Sequence, residues 1–327
     1  MGEVGIVAIG RNEGNRLKGC LTAAVRAGLT IVYVDSGSTD GSTAIAHSLG
    51  VTIVELDASS PMGPSRARNA GAARLLRLDP QVKFIQFVDG DCELADGWIS
   101  KGVRHLIAAP QVAVVCGRLR ERFPSASVYN RLCDIEWDEP VGEARSCGGN
   151  CMMRVDAFLQ VGGFDPNVLA GEEPELCLRL RARGWKVLRT NEEMAVHDAA
   201  MTRMGQWWRR AVRCGHAYAQ GAWLHGSSPQ RHYVRETRRA WTWGFLIPLV
   251  AVSAAWPSGG MTLLLLLFYP AQFCWVYRQA RRRPLPRGYA AAYAASCVFS
   301  KFAEVYGIWK FGIRQLRGAP MQLIEHR

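Results

Sequence analysis

The chain has 327 residues, 49% of them hydrophobic and 9% aromatic, which suffices for one large α/β domain with an appendage and excludes a disordered chain. A formal charge of +12 would suggest nucleic acid, yet residues 1–199 hold 22 Lys+Arg against 25 Asp+Glu, whereas residues 200–327 hold 18 against 3. The excess basicity shares the tail with the longest apolar runs, so anionic membrane lipid is the expected partner and nucleic acid is not. Ten cysteines include no CxxC pair, which argues for reduced thiols over a zinc site or a disulfide framework. Residues 4–9 form an apolar run with no signal-peptide pattern around it, so the N-terminal part is expected in the cytoplasm.

Short apolar runs alternate with amphipathic ones over the first 110 residues, the pattern of repeated βα units. Strands are expected at 5–9, 30–34, 52–56 and 83–88, and helices at 15–27, 42–49 and 65–76. Polar residues gather where the strands end. The first strand leads into Gly10-Arg11-Asn12-Glu13 and the second into Asp35-Ser-Gly-Ser-Thr-Asp40-Gly-Ser42. Such loops can hold a nucleotide, because glycine lets backbone approach a ligand and aspartate accepts from ring or ribose groups. Asp40 or Ser42 as a helix cap explains part of the second loop with no ligand. Neither loop matches the dinucleotide or P-loop fingerprints.

Arg66 and Arg68 stand near the start of the third helix, where they oppose its macrodipole unless an anion offsets them. The run 84–88 ends in Asp89-Gly90-Asp91. Two carboxylates one residue apart, at the carboxyl end of a buried strand, face the crevice where open α/β sheets bind ligands. They suit Mg²⁺ or Mn²⁺ shared with substrate phosphates. A simple Asp-Gly turn is the alternative.

The ordered set Val7-Ala-Ile-Gly-Arg-Asn-Glu13, Val34-Asp-Ser-Gly-Ser-Thr-Asp40, Ala67-Arg-Asn-Ala-Gly71 and Val88-Asp-Gly-Asp91 resembles the family 2 glycosyltransferases, inverting enzymes of the GT-A fold, and among them membrane-associated members of bacterial polysaccharide synthesis. The resemblance covers roughly residues 4–220 and implies a Rossmann-like, mostly parallel sheet with helices on both faces. It further implies that Gly10, Arg11, Asn12, Asp35, Arg68 and Asp89 hold the donor nucleotide, with a UDP-sugar favoured, and that Asp91 holds the metal. Arg11 stands where many members have an aromatic. Gly149 and Asn150, within Cys147-Gly-Gly-Asn150, fall in the family's acceptor-side segment.

Gly171-Glu172-Glu173-Pro174-Glu175 opens a helix, and acids in a first turn are also ordinary helix-start chemistry. The family commonly has Glu-Asp here with the second acid as general base, so Glu173 inherits that role and Glu172 is the fallback. A carboxylate suits the deprotonation of an attacking sugar hydroxyl. His197 falls where members place a third metal ligand. Gln206 and Arg209 partly match the Gln-x-x-Arg-Trp motif of processive members, with Arg210 in place of the tryptophan.

The division implied is a GT-A domain over 1–225 and a helical membrane-binding region over 226–327. The latter comprises a hydrophobic hairpin at 240–277, flanked by arginines on both outer sides and uncharged in its turn, and an interfacial helix at 289–313. Each hairpin arm of about 17 residues spans about 26 Å against a hydrocarbon core of ~30 Å, so a span and a re-entrant or interfacial hairpin both remain open. The expectation is a metal-dependent transferase on the cytoplasmic face of a bacterial inner membrane. It would move a sugar from a nucleotide-sugar donor to a lipid-linked or glycan acceptor for cell-surface polysaccharide. The alternatives are a polyprenyl-phosphate sugar synthase, a nucleotidyltransferase and an inactive scaffold of an assembly complex.

Overall fold

The computed structural model describes residues 2–57 and 62–318. The chain divides into two units, Met1–Phe123 with Glu136–Ala199, and Pro124–Ile135 with Ala200–Arg327.

In the first unit, β1 (Val4–Gly10), α1 (Asn15–Arg26), β2 (Thr30–Asp35), α2 (Ser42–Ser48), β3 (Thr52–Glu55), α3 (Pro64–Leu78) and β4 (Phe84–Asp89) follow the expected order, each within two residues of its expected bounds. Val- and Ile-rich strands buried on both faces are what parallel sheets require, and β1 is buried from Val4 to Ile9. The helix α1 turns Leu17, Cys20, Leu21 and Ala24 inward, the spacing of one helical face.

There follow β5 (Cys92–Leu94), α4 (Trp98–Ala108), β6 (Val112–Glu121), α5 (Val128–Trp137), β7 (Gly142–Ala144), β8 (Cys151–Arg154), α6 (Val155–Gln160), α7 (Glu172–Ala182) and β9 (Lys186–His197). The strand order is β3-β2-β1-β4-β8-β6-β9-β5, with β7 beside β9. The sheet is mixed, which corrects the expectation of a mostly parallel one. The pairs β1–β2, β1–β4, β2–β3 and β6–β9 are parallel, while β8 runs antiparallel to β4 and β6, and β9 antiparallel to β5 and β7. The reversal has a consequence for the site. An antiparallel β8 begins where β4 ends, with Cys151 opposite Phe87, so the loop before it is delivered to Asp89. Gln86 is buried in β4 but satisfied, accepting from Trp98 Nε1–H at 2.7 Å and donating to the Phe87 carbonyl at 2.7 Å.

The second unit holds the first eight residues of α5 together with α8 (Met204–His225), α9 (Val234–Trp241), a π-helical turn (Thr242–Leu246), α10 (Ile247–Ser253), a 3₁₀ stretch (Met261–Leu267), α11 (Phe268–Ala280) and α12 (Arg287–Leu316). The long pair α8 and α12 crosses at glycines. A methyl on Gly215 would collide with the Glu304 carbonyl, and one on Gly307 with the Val212 carbonyl, so the two backbones touch. The helix expected over 289–313 is α12, which buries Ala290, Ala294, Val298, Ala303 and Phe311.

Residues 240–277 form two bent arms. Pro248 lies at the start of α10 and lacks the N–H that an unbroken helix would use there. Among the described residues, no helix is long and apolar enough to cross a membrane. The arms nonetheless expose Leu246, Leu249, Val252, Met261, Leu264, Leu267 and Phe268, and Trp256 in the turn between them is 95% exposed.

Candidate active site

Sheet register aligns the polar strand ends, because Gly10 pairs with Asp35 and Ile9 with Asp89. The first two loops are tied to each other. Asn12, at a φ of 56°, accepts from the Thr39 backbone N–H at 2.7 Å, and its own N–H donates to Ser38 Oγ at 2.9 Å. Asp35 is buried and accepts four hydrogen bonds, from Tyr33 O–H (2.9 Å), Ser38 O–H (2.6 Å) and the backbone N–H groups of Gly37 (2.9 Å) and Ser38 (2.7 Å). A carboxylate offers about four lone-pair sites, so Asp35 shapes its own loop, and a donor base would have to displace one of these partners. Arg11 is exposed at the loop tip.

The turn at Asp89-Gly90-Asp91 is held from two sides. The Gly90 N–H donates to the Ile9 carbonyl at 2.7 Å, and the Asp89 N–H donates to Asn150 Oδ1 at 3.1 Å. Asn150 also donates to Cys92 Sγ at 3.2 Å. A Cβ on Gly149 would lie 2.6 Å from Arg68 Nη2 and closer still to Asp89 Oδ2, so only glycine fits there. In this structure Gly149 and Asn150 therefore brace the Asp89-Gly90-Asp91 turn.

Arg68, expected at the nucleotide, sits at the centre of the acidic groups. Its Nη2 is 2.8 Å from Asp89 Oδ1 and 3.0 Å from Glu173 Oε1, and its Nη1 is 3.1 Å from Glu172 Oε1. Burial disfavours its charge, but Glu173, Asp89 and Glu172 more than compensate and it stays a cation. Glu172 and Glu173 open α7 after Gly171, whose left-handed φ of 77° turns the chain into the helix. Burial and the neighbouring Glu172 carboxylate push the Glu173 carboxyl up to about 7, against the pull of Arg68. That places it near neutrality, where a general base is most effective.

The antiparallel pairing of β5 with β9 sets Cys92 opposite His197. His197 Nε2 consequently lies 2.9 Å from Asp91 Oδ2, although 106 residues separate them. Asp91, Cys92 and His197 each offer a ligand atom within 4.8 Å of the others. A carboxylate with an imidazole suits a divalent ion. Burial and the Asp89 charge raise the Cys92 thiol well above its usual range, so it remains a protonated hydrogen-bonding group.

Two residues at this end carry no motif. Trp137 stacks on the His197 ring at 4.6 Å. Glu121, buried at the end of β6, accepts from the Phe123 and Ala199 N–H groups at 3.0 Å each and so buckles the ends of β6 and β9 beside the histidine. A charged residue closing an apolar strand was the available signal for Glu121; Trp137 had none. Gln206 and Arg209 lie on α8 in the second unit. Gln206 Oε1 accepts from the Thr202 and Arg203 N–H groups at 2.9 and 3.0 Å, capping the helix, and Arg209 is exposed.

A parallel βαβ half with acids at its strand ends, joined to an antiparallel half that brings Glu172, Glu173 and a histidine toward the same strand ends, is the arrangement of the GT-A fold. Residues 6–161 match the family model described as Glycosyl transferase family 2. "Glycosyltransferase AglE" of Haloferax volcanii is 22% identical over 226 residues, 65% of this chain and 71% of that protein. "Succinoglycan biosynthesis protein ExoA" of Rhizobium meliloti is 26% identical over 180 residues, and there the match spans about half of each protein, 51% of this chain and 53% of the relative. Among solved structures, the mannosyltransferase PcManGT from Pyrobaculum calidifontis, in complex with GDP-Man and Mn²⁺, superposes with a TM-score of 0.56 at 18% identity, over 96% of this chain and 87% of that one.

Proposed function

We propose that the protein is a metal-dependent, inverting glycosyltransferase that moves a sugar from a nucleotide-sugar donor to a hydroxyl of a lipid-linked or glycan acceptor. The observation that carries this reading is that both kinds of group the reaction needs converge on the Asp89-Gly90-Asp91 turn. Asp91 pairs with His197 at 2.9 Å, and Glu173 is tied to Asp89 through the shared Nη2 of Arg68.

In this reading Asp91 and His197 would hold Mg²⁺ or Mn²⁺, and the ion would supply positive charge to the departing nucleoside diphosphate. Asp89, with its side chain partly open, faces the donor ribose. Glu173 takes the proton of the attacking acceptor hydroxyl as that oxygen approaches the anomeric carbon from the side opposite the leaving group. The proton passes to the Glu173 carboxylate as the new bond to the anomeric carbon forms and the bond to the diphosphate oxygen breaks, so the oxygen becomes nucleophilic without a free alkoxide. The loops around Asn12 and Asp35 form the floor for the nucleotide base.

The second unit supports a membrane setting for the acceptor. Its exposed apolar arms carry no charge from residue 240 to 277, and Arg278, Arg281, Arg282 and Arg283 follow them. Apolar surface beside a basic cluster suits the interface of an anionic bilayer. A glycan or lipid-linked acceptor at the cytoplasmic face of a bacterial inner membrane fits this surface, and the name of the Rhizobium meliloti relative agrees with a polysaccharide role.

The test is a panel of UDP- and GDP-sugars with Mg²⁺ or Mn²⁺, read by release of nucleoside diphosphate. Metal-dependent release that is lost in Asp91→Ala supports the reading. Pyrophosphate from a sugar phosphate and a nucleoside triphosphate, with no diphosphate from any nucleotide sugar, makes the protein a nucleotidyltransferase and sinks it.

A further inference from the structure

Glu173 takes the place of the family's usual aspartate with a side chain one methylene longer. The extra rotatable bond gives a free glutamate more positions for its carboxylate, and a base has to be held within hydrogen-bond reach of one oxygen. In this chain Arg68 removes that freedom. Its Nη2 meets Glu173 at 3.0 Å and Asp89 at 2.8 Å, while Nη1 meets Glu172 at 3.1 Å.

The arginine is itself immobilised. It is 2% exposed, and its guanidinium lies over the Phe164 ring, 5.4 Å from the centroid. Its neighbour Asn69 donates to the Phe164 carbonyl at 2.7 Å and accepts the Phe164 N–H at 2.9 Å, locking the helix to the segment below. Glu172 is as buried as the arginine, and its second oxygen has no hydrogen-bond partner among the described residues. It serves as the anchor of the fork, which leaves Glu173, with 14% of its side chain exposed against 3% for Glu172, as the acid open to an acceptor.

We propose that Arg68 is a positioning residue for transfer, holding the base Glu173 and the donor-side carboxylate Asp89 on one nitrogen and so fixing the base relative to the donor. The inference rests on the reading of Glu173 as the base. It assigns Arg68 a task other than binding the nucleotide. One cation among three carboxylates also sets the proton affinity of Glu173, which faces Glu172, Asp89, Arg68 and the protonated Cys177 thiol. Removing the cation takes away the strongest influence favouring the ionised form and leaves burial, Glu172 and Asp89 to favour the protonated acid.

The test compares Arg68→Met, Arg68→Lys and Glu173→Gln in the full chain. The probe is UDP-glucose or GDP-mannose with Mn²⁺, whichever the wild type consumes, and binding of UDP or GDP is measured by calorimetry. Arg68→Met is expected to lower kcat about 100-fold. The pH midpoint of kcat/KM should move up by about one unit, with diphosphate affinity changed less than about threefold. Arg68→Lys should keep the midpoint near its wild-type value and still lose kcat, because an ammonium lacks the two-pronged grip.

A tenfold or greater loss of diphosphate affinity and a raised KM, with kcat and the midpoint unchanged, would assign Arg68 to the donor and overturn the proposal. So would a loss of kcat in Arg68→Met with no movement of the midpoint. Wild-type turnover by Glu173→Gln removes the base reading itself, whatever Arg68 does. If Arg68→Met does not fold, Arg68→Lys carries the test: a loss of kcat with diphosphate affinity and midpoint near wild type supports the proposal, and a tenfold loss of diphosphate affinity with unchanged kcat overturns it.

Discussion

Adjacent glycines in the Cys147-Gly-Gly-Asn150 segment offer a controlled perturbation of the site. A Cβ on Gly149 would come within 2.6 Å of Arg68 Nη2 and nearer to Asp89 Oδ2, whereas one on Gly148 meets nothing within 4 Å. Neither residue has a positive φ, so alanine adds volume without backbone strain at either. At Gly149 the methyl has to wedge apart the Arg68–Asp89 pair. Overpacking of this kind costs about 1–3 kcal/mol, and a weakened charged hydrogen bond adds about 1 kcal/mol once discounted for the third of the Asp89 side chain that is open to water. Gly149→Ala should therefore lower stability by roughly 2–4 kcal/mol, or about 5–10 °C in the thermal midpoint of the first unit. Diphosphate release should fall with it, because Asp89 and Glu173 share one nitrogen of Arg68. Gly148→Ala should stay within about 1 kcal/mol of wild type and can gain slightly from a stiffer unfolded chain. Differential scanning calorimetry on both variants decides the matter. Equal midpoints for the two, or a Gly149→Ala protein with wild-type rate, refute the packing argument.

Glu173 gives the pH prediction. As a base it works ionised, so with its carboxyl at about 7, kcat/KM should fall about tenfold for each pH unit below that and level off above. Its effect on stability has the opposite sense. The folded-state value is raised above 4.5, so the contribution is complete below about pH 4.5 and lost as pH rises through 7, which Glu173→Gln should abolish in a stability–pH series. For the metal pair, removal of divalent ions with EDTA should stop diphosphate release. His197→Ala should then need at least tenfold more Mn²⁺ for half-maximal rate; an unchanged Mn²⁺ requirement sinks the ligand role. The exposed arms should bind vesicles containing phosphatidylserine, and Trp256→Ser/Leu264→Ser should weaken that binding by about tenfold. Full retention on vesicles by the double variant would exclude this surface.

The parallel half of the fold was open to sequence reading because its signals are local. Apolar runs of five or six residues and one-faced helices placed β1 to β4 and α1 to α3 within two residues, since buried strands and amphipathic helices each carry their own periodicity. The antiparallel half depends on pairings across long separations, which no local period records. The register that sets Cys92 opposite His197, and the reversed β8 that carries Gly149 and Asn150 to Asp89, are both of this kind. Motif resemblance drew Asp89, Asp91, Glu173 and His197 into one functional group, and the structure brings these four into one unit. It could not anticipate that Arg68 would spend its guanidinium on carboxylates, that Asp35 would be saturated by its own loop, or that Gln206 would cap a helix. Those outcomes follow from hydrogen-bond accounting in three dimensions, where a motif gives only the residue type.

The helix α5 bears on how the protein can be dissected. Its residues up to Ile135 belong to the second unit and its last two to the first, so the chain passes between units at 123/124, 135/136 and again at 199/200. Cutting after Ala199 would not liberate an intact catalytic fragment. Asn130, Leu132 and Cys133 would lose the surroundings that bury them, and Ser127 would lose its bond to the Met201 carbonyl at 2.5 Å. A soluble catalytic unit has to be made by bridging residue 123 to residue 136 as well as by removing the tail, and a simple C-terminal truncation should aggregate through the helix it leaves behind.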